Sequence, residues 1–512
     1  MLRSLHLRAG LGLLMVATAL SPMPAGAAAG CAKAHHPGGE WRTYGADLSN
    51  TRSQPREKTI GPTEAATLAP VWAFAASDGK GSGDFTGTPV IADGCMYVAS
   101  NEGFIFAVNA DNGKPVWTTK LASGGSINSS VTVEDGKVFA SVSRVGKPYN
   151  LALDQDTGRI LWETTLDKQD GSDTYATPQY FDDMIFQGVS GGSAELSSDE
   201  AERYRFQGNF SILDADTGRV LVKTWVIRPP DKNPNEPKND YAGATVWSTP
   251  AVDPKTGFAY FGASNPFRPQ AEHRYTNALL KVDFDRGSPN FGTIVDHYKG
   301  EVDEYIPEAA QAPCIDLPGN PPPWYPQGAG ACADLDLDMG ASPNLYRNDK
   351  GKLFVGIGQK AGIYHVVDPT TMKGIAKGIV GNPGALGGIV GSTAVGPEGV
   401  FGPNTLGGYL WSVDRYSAGQ RWFAPVGDGA HWGNPVSTAN GVVYTTSLTG
   451  FLHAYDAATG APLLATPMAL GAINPDPKLS WGGVSIARNT VYAAAGITGL
   501  PNGYVVAYQP QI

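Results

Sequence analysis

One short pattern recurs along most of the chain, and it limits the possible folds more than any other feature. The copies are "AVNADNGKPVW" (107–117), "ALDQDTGRILW" (152–162), "ILDADTGRVLV" (212–222), "KVDFDRGSPNF" (281–291), "VVDPTTMKGIA" (366–376), "SVDRYSAGQRW" (412–422) and "AYDAATGAPLL" (454–464). Each reads as an apolar strand, a turn that opens on Asp or Asn and often closes on Gly, and a second strand that often carries Trp. Asp caps such a turn through its side chain and Gly supplies the positive φ. Strand pairs such as "GTPVIADGCMYVAS" and "GNPVSTANGVVYTTS" lie between the copies. Four strands per unit around a ring make a β-propeller. The final "YVVAYQPQI" is half of an eighth unit. The expectation is therefore an all-β, eight-bladed β-propeller over 30–512, closed by N- and C-terminal segments. The segment "EWRTYGADLSNTRSQ" (40–54) is expected to complete the last blade.

Composition agrees with short strands and tight turns. Gly (65) and Pro (39) are abundant while charged residues are only 17%. The net charge of −10 argues against a nucleic-acid surface. Residues 1–29 read as an export signal: Arg3 and Arg8, the apolar run "LGLLMVATAL", then "AGAAAG". That run is too short to span a membrane. Cleavage is expected near Ala27 to Ala29, giving a periplasmic or secreted protein. Four cysteines in an oxidising compartment suggest two disulfides. Cys314 and Cys332 bracket a Pro/Gly stretch and are expected to pair, leaving Cys31 with Cys95. There is no Cys-x-x-Cys-His for covalent haem.

The turn residues Asn109, Asp154, Asp214, Asp283, Asp368, Asp414 and Asp456 are 45, 60, 69, 85, 46 and 42 apart. The excess length lies between residues 190 and 345, and insertions in a propeller fall in loops on one face. Within it, "DLDLDMGASPNLY" (334–346) sets Asp334, Asp336 and Asp338 at alternate positions, so an extended chain would point them the same way. A metal, a base role or plain solvent can each account for such a cluster.

The repeated turn resembles the blade motif of quinoprotein alcohol dehydrogenases, which hold pyrroloquinoline quinone and Ca²⁺ on the propeller axis. The likeness runs from about Trp41 to the end, although non-enzymatic outer-membrane assembly lipoproteins share the blade motif. Four inserts are more specific. "FQGVSGGSAE" (186–195) resembles the segment ending in a calcium-binding glutamate, which implies Glu195 as ligand and Ser190 at the cofactor. "TVWSTPAVDPKTGFAYFGASNP" (245–266) resembles the next blade, which implies Trp247 as the floor under the quinone and Asn265 as a calcium ligand. "DLDLDMGASPNLY" resembles the segment with the catalytic aspartate, which implies Asp336 as base and metal-proximal group with Asp338 beside it. "VGIGQKAGIYHVVDP" (355–369) resembles the strand whose cation touches the quinone carbonyl, which implies Lys360. Trp432, Asn434 and Trp481 are implied as further pocket residues.

The phrases "DMGASPNL" and "VGIGQKAGIYHVVDP" resemble the polyvinyl alcohol dehydrogenase branch, which implies a secondary or polymeric alcohol as substrate. That branch often carries a cytochrome c domain, which does not occur in this sequence, and the resemblance then implies a separate electron acceptor such as a cytochrome c. The adjacent Cys-Cys pair of methanol-type enzymes is also missing, which leaves the upper wall of the cofactor site open. The residue types suit the chemistry. Carboxylate and amide oxygens suit Ca²⁺, an indole suits a flat cofactor, and a lysine stabilises negative charge that builds on an oxygen. Bland readings also hold: Glu195 starts a polar run, Asn265 precedes Pro266 as turn starters do, and Trp117, Trp162 and Trp422 belong to inter-blade packing.

Overall fold

The computed structural model describes residues 29–191, 206–227, 243–266, 273–301, 337–381, 388–405, 408–426, 434–471, 480–496 and 503–511. Eight antiparallel sheets succeed one another along the chain, seven of four strands and one of five. Together they form the eight blades, numbered here in chain order from the sheet that begins at Val90–Ala92. The innermost strands are short and largely buried, and the outermost strands of most blades mix exposed and covered residues. Among the described residues, no helix is long and apolar enough to cross a membrane.

The repeated turn explains how adjacent blades stay in register. Asp154 Oδ1 accepts from the Thr157 amide (2.9 Å) and hydroxyl (2.7 Å), and Gly158 closes the turn at φ +70°. Asp214 with Thr217 and Asp456 with Thr459 repeat this arrangement. The Trp of one blade then docks on the turn of the next. Trp117 Nε1 donates to the Gln155 carbonyl, Trp162 Nε1 to Ala215, and Trp422 Nε1 to Ala457, each at 3.0 Å. The turn glycine is the seat for that indole. A Cβ on Gly158 would lie 2.6 Å from the Trp117 ring, and one on Gly218 equally close to Trp162. The same position therefore needs Gly for its backbone conformation and for its neighbour.

The ring closes through both ends of the chain, but 40–54 is not the closing strand. Leu68–Ala75 pairs antiparallel with Tyr504–Pro510, from Leu68 opposite Pro510 to Ala75 opposite Tyr504. Its sequence "LAPVWAFA" buries Phe74 and presents Trp72 to the Gly113 turn of blade 1, whereas 40–54 is polar and bends through positive φ at Ala46, Asn50 and Arg52.

Those bends make a strap that circles the axis once. Gly39 O accepts from Arg488 N of blade 8, and Trp41 exchanges two bonds with Ile91 of blade 1. Arg42 O accepts from Val133 N of blade 2, and Thr43 and Asn50 bond Gln179 of blade 3. Then Leu48, Ser49, Thr51 and Arg52 carbonyls accept from Val252, Leu345, Val395 and Thr438 of blades 4 to 7. Arg52 is fully buried at its end. Its guanidinium donates to Val436 O (2.8 Å), Ser437 Oγ (2.9 Å), Thr88 Oγ1 (3.2 Å), Val484 O (3.3 Å) and Tyr44 O, and lies 4.6 Å from the Tyr44 ring centroid. Burial lowers its pKa to about 10. The expected Cys31–Cys95 disulfide fixes the chain ahead of the strap to blade 1. Cys314 and Cys332 lie outside the described residues.

Candidate active site

The innermost strands open on a belt of hydroxyls around the axis. Thr88 N donates to Ser130 Oγ (2.8 Å), Ser130 N to Thr177 Oγ1 (3.1 Å), Thr177 N to Thr249 Oγ1 (3.0 Å), Thr249 N to Ser342 Oγ (3.1 Å) and Ser342 N to Ser392 Oγ (3.2 Å). Each bond joins one blade to the next. Sequence reasoning missed this belt, although Ser or Thr stands directly before Pro at Thr88, Thr177, Thr249 and Ser342. Above it lies an axial cavity of ≈ 250 Å³, walled by Trp247 and Trp481 as well as belt residues.

A buried carboxylate lies behind the Trp247 wall of this cavity. Asp338, 1% exposed, leads into the innermost strand of blade 5 (Asn344–Arg347). Its Oδ2 accepts from Trp247 Nε1 at 3.0 Å and pairs with Lys360 Nζ at 3.1 Å. Its Oδ1 accepts from the Asn265 amide at 2.7 Å. Lys360 Nζ lies 5.5 Å from the centre of the Trp247 ring, and its own amide donates to the Asp338 carbonyl at 3.0 Å. Three elements converge here. Trp247 precedes the innermost strand of blade 4, Asn265 follows the next strand, Phe258–Ala263, and Lys360 follows Leu353–Gln359 of blade 5. Small residues allow the approach: a Cβ on Gly340 would meet the Trp247 ring at 2.0 Å, and one on Gly262 the Met339 carbonyl at 2.2 Å.

Trp247, Asn265, Asp338 and Lys360 thus come together from separate stretches of sequence. Trp481 lines the cavity from blade 8. Asn434 is buried one step back, its amide donating to Thr446 Oγ1 and Ser480 O between blades 7 and 8. Ser190 is buried opposite Asp173 at the inner edge of blade 3. Glu195, Asp336 and Trp432 lie outside the described residues.

A planar polar cofactor fits these surroundings. Asn128 Oδ1 and Ser248 Oγ belong to residues lining the cavity, are buried, and have no hydrogen-bond partner among the described residues, so a ligand would satisfy them. For a hard cation, Asn265 beside Asp338 offers the right oxygen chemistry. Among the described residues, no group of three acidic, His or Cys side chains completes a metal site.

Over 497 residues the sequence is 25% identical to polyvinylalcohol dehydrogenase of a Pseudomonas species, covering 90% of this chain and 73% of that protein. The Sphingopyxis polyvinylalcohol dehydrogenase is 24% identical with the same coverage. The chain is a homologue of the quinoprotein alcohol dehydrogenases. The family model described as outer membrane protein assembly factor BamB matches residues 56–253. In fold, the chain is similar to quinohemoprotein alcohol dehydrogenase from Comamonas testosteroni, with TM-score 0.67 and 17% identity, covering 94% of this chain and 82% of that one.

Proposed function

We propose that the protein is an exported alcohol dehydrogenase dependent on pyrroloquinoline quinone and calcium, acting on secondary or polymeric alcohols in the manner of its polyvinylalcohol dehydrogenase relatives. Electrons pass to a separate cytochrome c. The reading rests above all on Asp338, a buried carboxylate gripped by Trp247, Lys360 and the Asn265 amide beside the axial cavity. Trp247 and Trp481 would hold the flat cofactor, with Lys360 at its oxygens, Ser190 and Asn434 behind, and Trp432 as a further pocket residue. Glu195, Asn265 and Asp336 would supply calcium ligands. When bound, the quinone accepts the two electrons of alcohol oxidation and calcium polarises its reactive carbonyl.

The proton of the alcohol goes to an aspartate of the 336–338 pair. Asp338 is taken as the base, on its contacts with Lys360, Trp247 and the Asn265 backbone amide. The Lys360 ammonium, the Trp247 indole N–H and the Asn265 backbone N–H hold its two oxygens in one orientation. Its burial, 1% exposed against Trp247, keeps water from competing for the proton. A second reading, a non-catalytic scaffold, is favoured by the BamB family match over blades 1 to 3 and the start of blade 4.

The test is dye reduction with a panel of primary, secondary and polymeric alcohols, before and after adding the quinone and Ca²⁺. Activity that depends on both supports the enzyme. Absence of activity, of a quinone absorbance change and of a thermal shift refutes it and leaves the scaffold. Asp338→Asn is expected to abolish turnover while retaining quinone binding. If Asp336→Asn does so instead, the base is Asp336.

A further inference from the structure

Behind Asp338 lies a second buried network that the proposed chemistry does not use. Gln359, the last residue of the Leu353–Gln359 strand, is fully buried. Its Nε2 donates to Leu337 O at 2.7 Å and to Glu301 O at 2.8 Å, while its Oε1 accepts from Glu301 N at 3.0 Å. One amide therefore ties down the chain on both sides of residues 302–336, and one of its bonds falls on the residue next to Asp338.

The amide is itself oriented. With its nitrogen directed to two carbonyls, its oxygen must accept from His365 Nε2, 2.8 Å away. That places the single imidazole proton on Nε2, so Nδ1 accepts from the Tyr298 hydroxyl at 3.1 Å. The ring is neutral at any working pH, because burial, reinforced by Lys377, lowers its pKa to about 3. A charged imidazole would have to donate from both nitrogens and would leave the Tyr298 hydroxyl without its acceptor. Gly300 closes the packing: a Cβ there would lie 2.2 Å from Met339 and 2.9 Å from Gln359 Oε1.

Neighbouring residues thus grip neighbouring residues. Lys360 pairs with the side chain of Asp338, and Gln359 holds the carbonyl of Leu337. We propose that Gln359, locked by neutral His365 and Tyr298, is a positioning residue that sets the Asp338 carboxylate against Trp247 and Lys360. The proposal rests on the dehydrogenase reading above for its kinetic consequence but not for its structural one.

Two backbone amides report directly on Asp338: Asn265 N, bonded to its carboxylate, and Lys360 N, bonded to its carbonyl. In the full chain, Gln359→Leu is expected to speed hydrogen exchange at these two amides at least ~10-fold, with exchange in blades 1, 2 and 7 unchanged. In the dye assay kcat should fall ~10–100-fold, with the KM for alcohol within about threefold, as for a misplaced catalytic group. Tyr298→Phe, a milder change that keeps the ring, should shift the same amides by about threefold and guards against a Gln359→Leu chain that does not fold. Unchanged exchange at both amides in every folded variant overturns the proposal. So does faster exchange with an unchanged kcat in an active wild type. A wild type inactive with quinone and Ca²⁺ would refute the dehydrogenase reading, and with it the kinetic half of this one, while exchange still decides the clamp.

Discussion

Arg52→Lys isolates what the strap contributes to the ring. The guanidinium has donor contacts to five acceptors on blades 1, 7 and 8 and on the strap itself. Lysine keeps the charge but carries three donors from one point, so at least two contacts are lost. A hydrogen bond to a charged group contributes about 1.5–3 kcal/mol, so two predict a loss of about 3–6 kcal/mol. Retaining the charge keeps the desolvation cost nearly constant, which leaves geometry as the variable. Urea unfolding at 25 °C followed by tryptophan fluorescence measures the difference as a shift in midpoint at constant slope. A loss below about 1 kcal/mol would refute the reasoning, because it would mean that the strap is held by its backbone bonds and Arg52 is replaceable filler.

Three other outcomes follow from single contacts. Gly340→Ala forces a Cβ into the Trp247 ring and should destabilise by about 1–3 kcal/mol, with weaker quinone binding by absorbance titration. Cys31→Ser opens a bridge across 64 residues and should cost up to about 4 kcal/mol, matched by reductant acting on the wild type in the same unfolding measurement. The Thr157 and Thr217 hydroxyls hold the Asp154 and Asp214 carboxyls below the usual range. With folded values below the unfolded one, that stabilisation is complete above about pH 4 and drains away as pH falls further. Thr157→Val with Thr217→Val should therefore lower the melting temperature at pH 7 and flatten its decline between pH 4 and 3.

The architecture was legible because its signal is local and repeated. Asp, Thr and Gly meet within five residues, and the Trp that follows docks on the next copy of the same turn. Closure was legible in principle but not in place. The strap 40–54 lies near the axis yet lacks strand alternation, whereas "LAPVWAFA" carries the Trp that the eighth turn contact needs. The hydroxyl belt escaped notice because a single Ser or Thr on each of blades 1 to 6 has no local meaning; it becomes a belt only when blades stand side by side. Asp336 and Asp338 are equivalent as sequence, since alternate positions point alike. What distinguishes Asp338 comes from Trp247 and Asn265 on blade 4, 91 and 73 residues away. Gln359 reads as an ordinary polar strand end, and its partners at 301, 337 and 365 appear only in three dimensions.

The strap has a bearing on how many blades such a ring can hold. Between Gly39 and Arg52 it touches all eight, in the order of the ring, with few residues to each. A stretch of thirteen steps reaches at most about 45 Å when fully extended. It therefore measures the inner circumference as a cord measures a drum. A ring that gained a blade would outrun the cord, and one that lost a blade would leave slack over the axis. Blade repeats can be copied or deleted in whole units, but here any such change has to be matched by a change in length of a segment that belongs to no blade.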